Sequence, residues 1–212
     1  MALDLAALVS PGHTALVTQE VQRAVIGEHS PLPELAEAAR HAVPKIAALV
    51  TSARAAGLSV IHCTAERRAD GRGANANARI FRYMAKSEHP LLQGSEAAAI
   101  VPEISVADSD IVMPRLHGLS PFQGTELDFV LRNLGVEYIL TMGIVTDQCV
   151  ETAIRDGCAR GFLMTIIDDA CATHSQERHD ASTRAIKGYC RKRSTDEVIA
   201  ELTAREAARD VA

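Results

Sequence analysis

Tryptophan is absent from this chain, and aromatic residues make up 3% of it. That scarcity gives little support to the stacking of a large planar ligand. No apolar run approaches the ~20 residues that cross a bilayer. No basic segment precedes the apolar residues of "MALDLAALVSPGH", as a signal peptide requires. A cytoplasmic protein without membrane contact is the expectation. Positive charge is short as well: the formal net charge of −5 argues against nucleic acid as a partner. The one dense basic cluster, "CRKRS" at 190–194, reads as the C-terminal cap of a helix. The five cysteines (Cys63, Cys149, Cys158, Cys171, Cys190) include no C-x-x-C pair and are odd in number. Neither a disulfide framework nor a zinc ribbon is expected from them. Linkers, repeats and composition breaks are lacking too, so 1–212 reads as a single domain. A chain of this size buries roughly 70% of its unfolded surface without disulfide or metal.

What is present is an alternation. Apolar runs at 14–19 (TALVTQ), 58–63 (LSVIHC), 110–114 (DIVMP), 136–143 (VEYILTMG) and 162–170 (FLMTIIDDA) read as strands. Helical spacing fills the gaps, with Pro44 marking a kink or the first turn of a second helix. In "TELDFVLRNLG", Leu127, Val130, Leu131 and Leu134 share a face that stops at Gly135. Residues 176–190 read as a helix, and a capping box in Ser194 and Glu197 opens the last one. The segment "TAERRADGRGANANARIF" reads as one long polar loop, a length that often signals function. The pattern is α/β, a three-layer αβα sandwich with a mostly parallel sheet. Ligands of such folds bind beyond the carboxyl ends of the strands, which here are Glu20, Thr64, Arg115, 146–149 and 169–174.

Three of those strand ends suit one chemistry. Cys149 lies between a strand and the helix stripe Val150, Ala153, Ile154, Gly157 and Cys158, with Thr146 or Asp147 as cap. A thiol in a first helical turn meets the positive end of the dipole, which favours thiolate. Position alone leaves Cys149 equally readable as a small apolar residue in a buried turn. Glu20 offers a base, or else a solvated carboxylate. Arg115 offers a fixed cation, or else an ordinary surface residue. Together they supply what nucleophilic catalysis needs. Asn75 and Asn77, with Arg67 and Arg68, stand in the polar loop as candidate contacts to a substrate carboxylate or amide, or else as part of a solvated loop or a subunit contact, and Phe122 is a candidate pocket wall or a core aromatic. A redox pair of Cys149 with Cys158 is excluded by the roughly 13 Å that nine helical residues span; Cys171 stays conceivable.

The stretches "EVQ" (Glu20, Gln22), "RLHGLSPFQGTEL" (Arg115, Ser120, Phe122, Gly124, Thr125, Leu127) and "GIVTDQCVETAIRDG" (Gly143, Thr146, Cys149, Val150) carry a resemblance to the isochorismatase-like cysteine hydrolases. The downstream "DDACATHSQERHDA" fits it too. In that family the motifs are D-x-Q, a lysine before S-x-F-x-G-T-x-L, and G-x-x-T-x-x-C-V. The resemblance implies Cys149 as nucleophile, Glu20 as base in place of Asp, and Arg115 near the lysine position. Arginine holds charge but does not shuttle protons, a role His117 is then placed to fill. It implies an oxyanion turn at Val145 and Thr146, with a cis peptide between Ile144 and Val145. It further implies hydrolysis of a C–N bond in a small linear amide, ureide or carbamoyl compound, through a thioester and with release of ammonia. No cofactor and no metal are expected, since no D-x-H ligand spacing occurs, and a homo-oligomer (dimer or tetramer) is. A non-catalytic binding protein of the same fold and a vinyl-ether hydrolase of isochorismate type stay open beside this reading.

Overall fold

In the computed structural model, which describes residues 4–209, the apolar runs form β1 (Thr14–Gln19), β2 (Ser59–Ala65), β3 (Ile111–Arg115), β4 (Tyr138–Ile144) and β5 (Leu163–Ala172). A sixth strand, β6 (Cys190–Arg193), occupies the basic cluster, so that segment is an edge strand and not a helix cap. It runs parallel to Met164–Ile167 of β5, and its charged side chains discourage a further strand from adding there. The helices are α1 (Leu5–Leu8), α2 (Arg23–Ile26), α3 (Pro33–Ala39), α4 (Ala42–Ala55), α5 (Arg79–Met84), α6 (Leu127–Asn133), α7 (Glu151–Ala159), α8 (Gln176–Ala185) and α9 (Thr195–Arg209). Pro44 sits in the first turn of α4, where its missing N–H has no intrahelical partner to lose. Gly135 ends α6 at φ 72°. The capping box is made: the Ser194 N–H donates to Glu197 at 2.8 Å, and the Glu197 N–H donates to Ser194 Oγ at 3.3 Å.

Every strand pairing is parallel, in the order β3-β2-β1-β4-β5-β6. The chain therefore builds outward from β1 in one direction, then returns and builds outward in the other. Right-handed crossovers that run in opposite directions put their helices on opposite faces of the sheet, and three layers result. β1 is buried along its whole length, as a central parallel strand must be. Between Thr141 and Gly143 the β4–β5 register shifts, because β5 bulges through Asp168 and Asp169. Those two carboxylates are thereby anchors inside a strand that runs on to Ala172, not a strand end. Asp168 binds Lys192 and His179, and Asp169 binds Lys45 and the Thr195 N–H. The loop after β2 is also not structureless: it holds α5, which buries none of its residues fully.

One buried titratable group belongs to the fold alone. His62 of β2 is fully buried, with Nδ1 2.8 Å from Thr18 Oγ1 and Nε2 3.3 Å from Asp110. Those partners select the neutral ring that accepts from Thr18 and donates to Asp110. Burial lowers its pKa and outweighs the help from Asp110. A histidine with a depressed folded pKa contributes stability above its unfolded value of about 6.5 and loses it as pH falls below that. Unfolding free energies from urea titrations between pH 7.5 and 5.5 are expected to fall by up to about 1.4 kcal/mol per pH unit from this group. In His62→Gln that component of the slope disappears; equal slopes in both proteins defeat the assignment.

Candidate active site

The order of strands reverses between β1 and β4, and this is where a doubly wound sheet opens a crevice at its carboxyl edge. Two local features shape it. Glu20, the first residue after β1, has φ 48°, a left-handed conformation uncommon for a residue with a side chain. Opposite it, Gly143 of β4 has φ 124° and approaches β1 so closely that an added Cβ would lie 2.3 Å from the Gln19 carbonyl oxygen. Beyond β4, the peptide between Ile144 and Val145 is cis, at the place the resemblance implies. A single π-helical turn, residues 146–150, then leads into α7. Neither Thr146 nor Asp147 caps that helix. The Thr146 hydroxyl lies 3.0 Å from His179 Nδ1, and Asp147 accepts from Thr173 at 2.6 Å and from Arg178 Nε at 2.9 Å. α8 and the end of β5 thus hold the turn from behind.

Cys149 is 1% exposed in that turn. Its thiol donates to the Ile144 carbonyl at 2.8 Å, and the Val145 N–H donates to its sulfur at 3.1 Å. Burial and the nearby Glu20 carboxylate push its pKa well above the ordinary thiol value, against Arg115 and the Val145 N–H. The dipole argument for a resting thiolate is therefore overturned: desolvation in a buried turn is the larger effect. A thiol in this position needs a base at the moment of attack.

Glu20 and Arg115 stand beside it. They form an ion pair, 13% and 3% exposed at the side chain, and Arg115 Nε donates to the Gly118 carbonyl at 3.1 Å. Arg115 comes from β3, an edge strand two places from β1, so its side chain crosses the end of β2 to reach Glu20. Burial works against its charge, but Glu20 and Cys149 outweigh that and raise its pKa. Its Nη1 is buried and has no hydrogen-bond partner.

A cavity of about 140 Å³ is lined by Glu20, Arg115, Val145 and Gln148, while Cys149, buried close to Val145, is outside its lining. Asn75 and His117 line it as well. Asn75 accepts from the Gly118 N–H at 2.7 Å, whereas Asn77 is exposed, does not line the cavity and instead holds the Asn75 amide at 3.2 Å. His117 is exposed at the rim, and no hydrogen bond joins it to Glu20, Arg115 or Cys149. Phe122 is not a pocket wall: it is buried against Phe162, ring centroids 5.9 Å apart, and packs by Gly157 of α7. The aromatic wall is Phe81 of α5. Thr146 is buried away from the cavity, its carbonyl accepting from Ser182 at 3.4 Å, so of the expected oxyanion pair only Val145 faces the space. Sequence reasoning missed Gln148 and Glu66 as lining residues, and no motif marks either.

The remaining motif residues build the frame. The Gln22 side chain accepts from the Ala65 N–H at 2.8 Å and donates to the Ala65 and Ala98 carbonyls, tying the ends of β1 and β2 together. Ser120 bonds Asp156 of α7, and Thr125 Oγ1 accepts from the Leu127 N–H at 3.2 Å to start α6. Among the described residues, one group has metal-ligand composition: Glu28, His29 and Glu96. The Arg23 guanidinium already pairs with both of its carboxylates.

With this geometry in place, comparison with known proteins gives a consistent answer. The model of the isochorismatase domain matches residues 14–197. The ureidoacrylate amidohydrolase RutB of Acinetobacter baylyi is 30% identical over 198 residues, covering 85% of this chain and 80% of that protein. An isochorismatase family protein of Bacillus subtilis is 36% identical over 106 residues, 50% of this chain and 56% of that one. Among solved structures, a cysteine hydrolase from Pseudomonas syringae superposes with a TM-score of 0.82 at 24% identity, covering 93% of this chain and 96% of that one. The fold, the order of its motifs and these matches agree: the chain belongs to the isochorismatase family.

Proposed function

We propose that this protein is a cysteine amidohydrolase that cleaves the C–N bond of a small linear amide, ureide or carbamoyl compound and releases ammonia. The observation that carries the reading is the meeting of Cys149, Glu20 and Arg115 at the switch point of the sheet, from three separate strand ends. The ureidoacrylate amidohydrolase relative supports the same class of bond. Glu20 takes the Cys149 proton as the sulfur attacks the carbonyl carbon, and the proton passes to the leaving nitrogen. Ammonia departs and a thioester remains. Water then attacks with Glu20 again accepting the proton, and the acid leaves with the thiol restored.

Arg115 contributes charge and position. One nitrogen holds Glu20 and another the Gly118 carbonyl, which leaves Nη1 for the substrate oxygen as negative charge develops on it. A guanidinium does not deprotonate in a protein, so both proton transfers fall to Glu20. The test is ammonia release from a panel of small amides and ureides, with intact-mass analysis of acid-quenched protein. Turnover with an acyl adduct on Cys149 is the expected result. If no amide turns over and no acyl adduct forms on Cys149, a non-catalytic binding protein takes the place of this reading.

A further inference from the structure

Behind the Cys149 turn, α8 supplies a buried imidazole that the chemistry above does not use. His179 is 6% exposed, with Nδ1 3.0 Å from the Thr146 hydroxyl and Nε2 3.2 Å from the Asp168 carboxylate. Asp168 also pairs with Lys192 at 2.7 Å. Burial works against its charge, but hydrogen bonds from His179 and Lys192 outweigh that and hold its carboxyl below the usual range. An ionised carboxylate only accepts hydrogen bonds, so Nε2 carries a proton. In the neutral ring Nδ1 is then the acceptor, and the Thr146 hydroxyl donates to it. A line of hydrogen bonds thus runs from β6 through β5 and α8 into the turn that holds Cys149.

A second residue of α8, Ser182, also touches Thr146, but weakly. Its hydroxyl has one proton and two acceptors, the Thr146 carbonyl at 3.4 Å and the Glu151 carboxylate at 2.6 Å. The shorter, charge-assisted bond takes that proton, which leaves His179 as the firm contact. What it grips matters for the reaction. Thr146 opens the π-helical turn, and such turns occur mostly at functional sites. It is joined directly to Val145, which lines the cavity and whose N–H donates to the Cys149 sulfur at 3.1 Å. A displacement of about 1 Å in a reacting group can cost about 10²-fold in rate. Thr146 and His179 are themselves outside the cavity lining.

We propose that His179 is a positioning residue: through the Thr146 hydroxyl it fixes the turn in the place from which the Cys149 sulfur attacks. The inference rests on the amidohydrolase reading for the attack itself. Asp168 and Lys192 act one step further out, by setting the tautomer that accepts from Thr146.

Two substitutions divide the contacts of the ring between them. In His179→Asn the amide oxygen stands about where Nδ1 was and accepts from Thr146. In His179→Gln the longer amide reaches Asp168 as Nε2 did, and Thr146 loses its acceptor. Ammonia release is measured for both, for Thr146→Val and for the double variant His179→Gln/Thr146→Val, beside hydrogen exchange of the backbone amides of residues 143–150. His179→Gln and Thr146→Val are each expected to lower kcat about 10- to 100-fold with KM unchanged. The double variant falls no further than either, since both remove one contact. His179→Asn keeps most of the wild-type rate. Exchange in the turn quickens in His179→Gln and not in His179→Asn. Equal kcat or equal exchange in the two His179 variants, losses that multiply in the double variant, or a change confined to the melting temperature overturns the proposal. The two readings fail separately. Wild-type turnover that His179→Gln leaves unaltered keeps the amidohydrolase and removes the positioning role. Faster exchange in His179→Gln alone, in a protein that releases no ammonia from any amide, keeps the grip of His179 on the turn and removes the amidohydrolase.

Discussion

Ammonia release is expected to fall by about 10³-fold or more when Cys149 is replaced by alanine, with the fold intact. The effect is large because nothing else at the site can take over the attack. Thr146, the nearest hydroxyl in the turn, faces His179 on the far side. Water is a poor substitute: without a thioester the reaction needs one difficult step in place of two easier ones. The fold is expected to tolerate the change, since alanine keeps the apolar contacts of a 1% exposed residue. The loss is confined to the sulfur's hydrogen bonds with the Ile144 carbonyl and the Val145 N–H, about 1–3 kcal/mol each at most. The measurement is initial-rate ammonia release beside a circular-dichroism melt. Release at the wild-type rate from a folded Cys149→Ala protein means that sulfur does not attack the carbonyl, and the mechanism falls with it.

The second large effect concerns stability. Gly143→Ala is expected to lower the melting temperature by about 10 °C or more, several kcal/mol for a chain of this size. An added methyl would lie 2.3 Å from the Gln19 oxygen and 2.7 Å from its nitrogen, both backbone atoms of the central strand. The φ of 124° is itself a region that L side chains rarely adopt. Neither strand can yield, since β1 and β4 are buried and each pairs with strands on both sides. Gly188→Ala is the control, because a methyl there meets nothing within 4 Å. Equal melting of the two variants means that the close approach of β1 and β4 is not real.

Much of this molecule is legible in its residues, and the misses share physical causes. β1, β2, β4 and β5 are read correctly because a parallel strand covered on both faces must be apolar almost throughout. β6 escapes that rule: four residues at an edge need no apolar side chains, so "CRKR" looks like a cap. α5 escapes for a related reason. Its Ile80, Phe81 and Met84 face a cavity and not the core, so their spacing is hidden among arginines, glycines and asparagines. Cys149, Glu20 and Arg115 are singled out by their places at strand ends, and the structure brings them together. The state of the thiol is misjudged, because a dipole is visible in a sequence pattern while desolvation is not. Phe122 and Asn77 show the same limit: a motif fixes which residues are near one another, and the direction of each side chain follows only from packing.

The walls of the site differ in what the protein stakes on them. Glu20, Arg115 and Val145 stand on strand ends and a turn whose movement would disturb the sheet. α5 lines the same cavity and buries none of its six residues. Variation in that helix alters the shape offered to a substrate while risking little of the folding free energy. On the proposed reading, changes at Ile80, Phe81 and Met84 reshape the space offered to a substrate and leave Cys149, Glu20 and Arg115 in place.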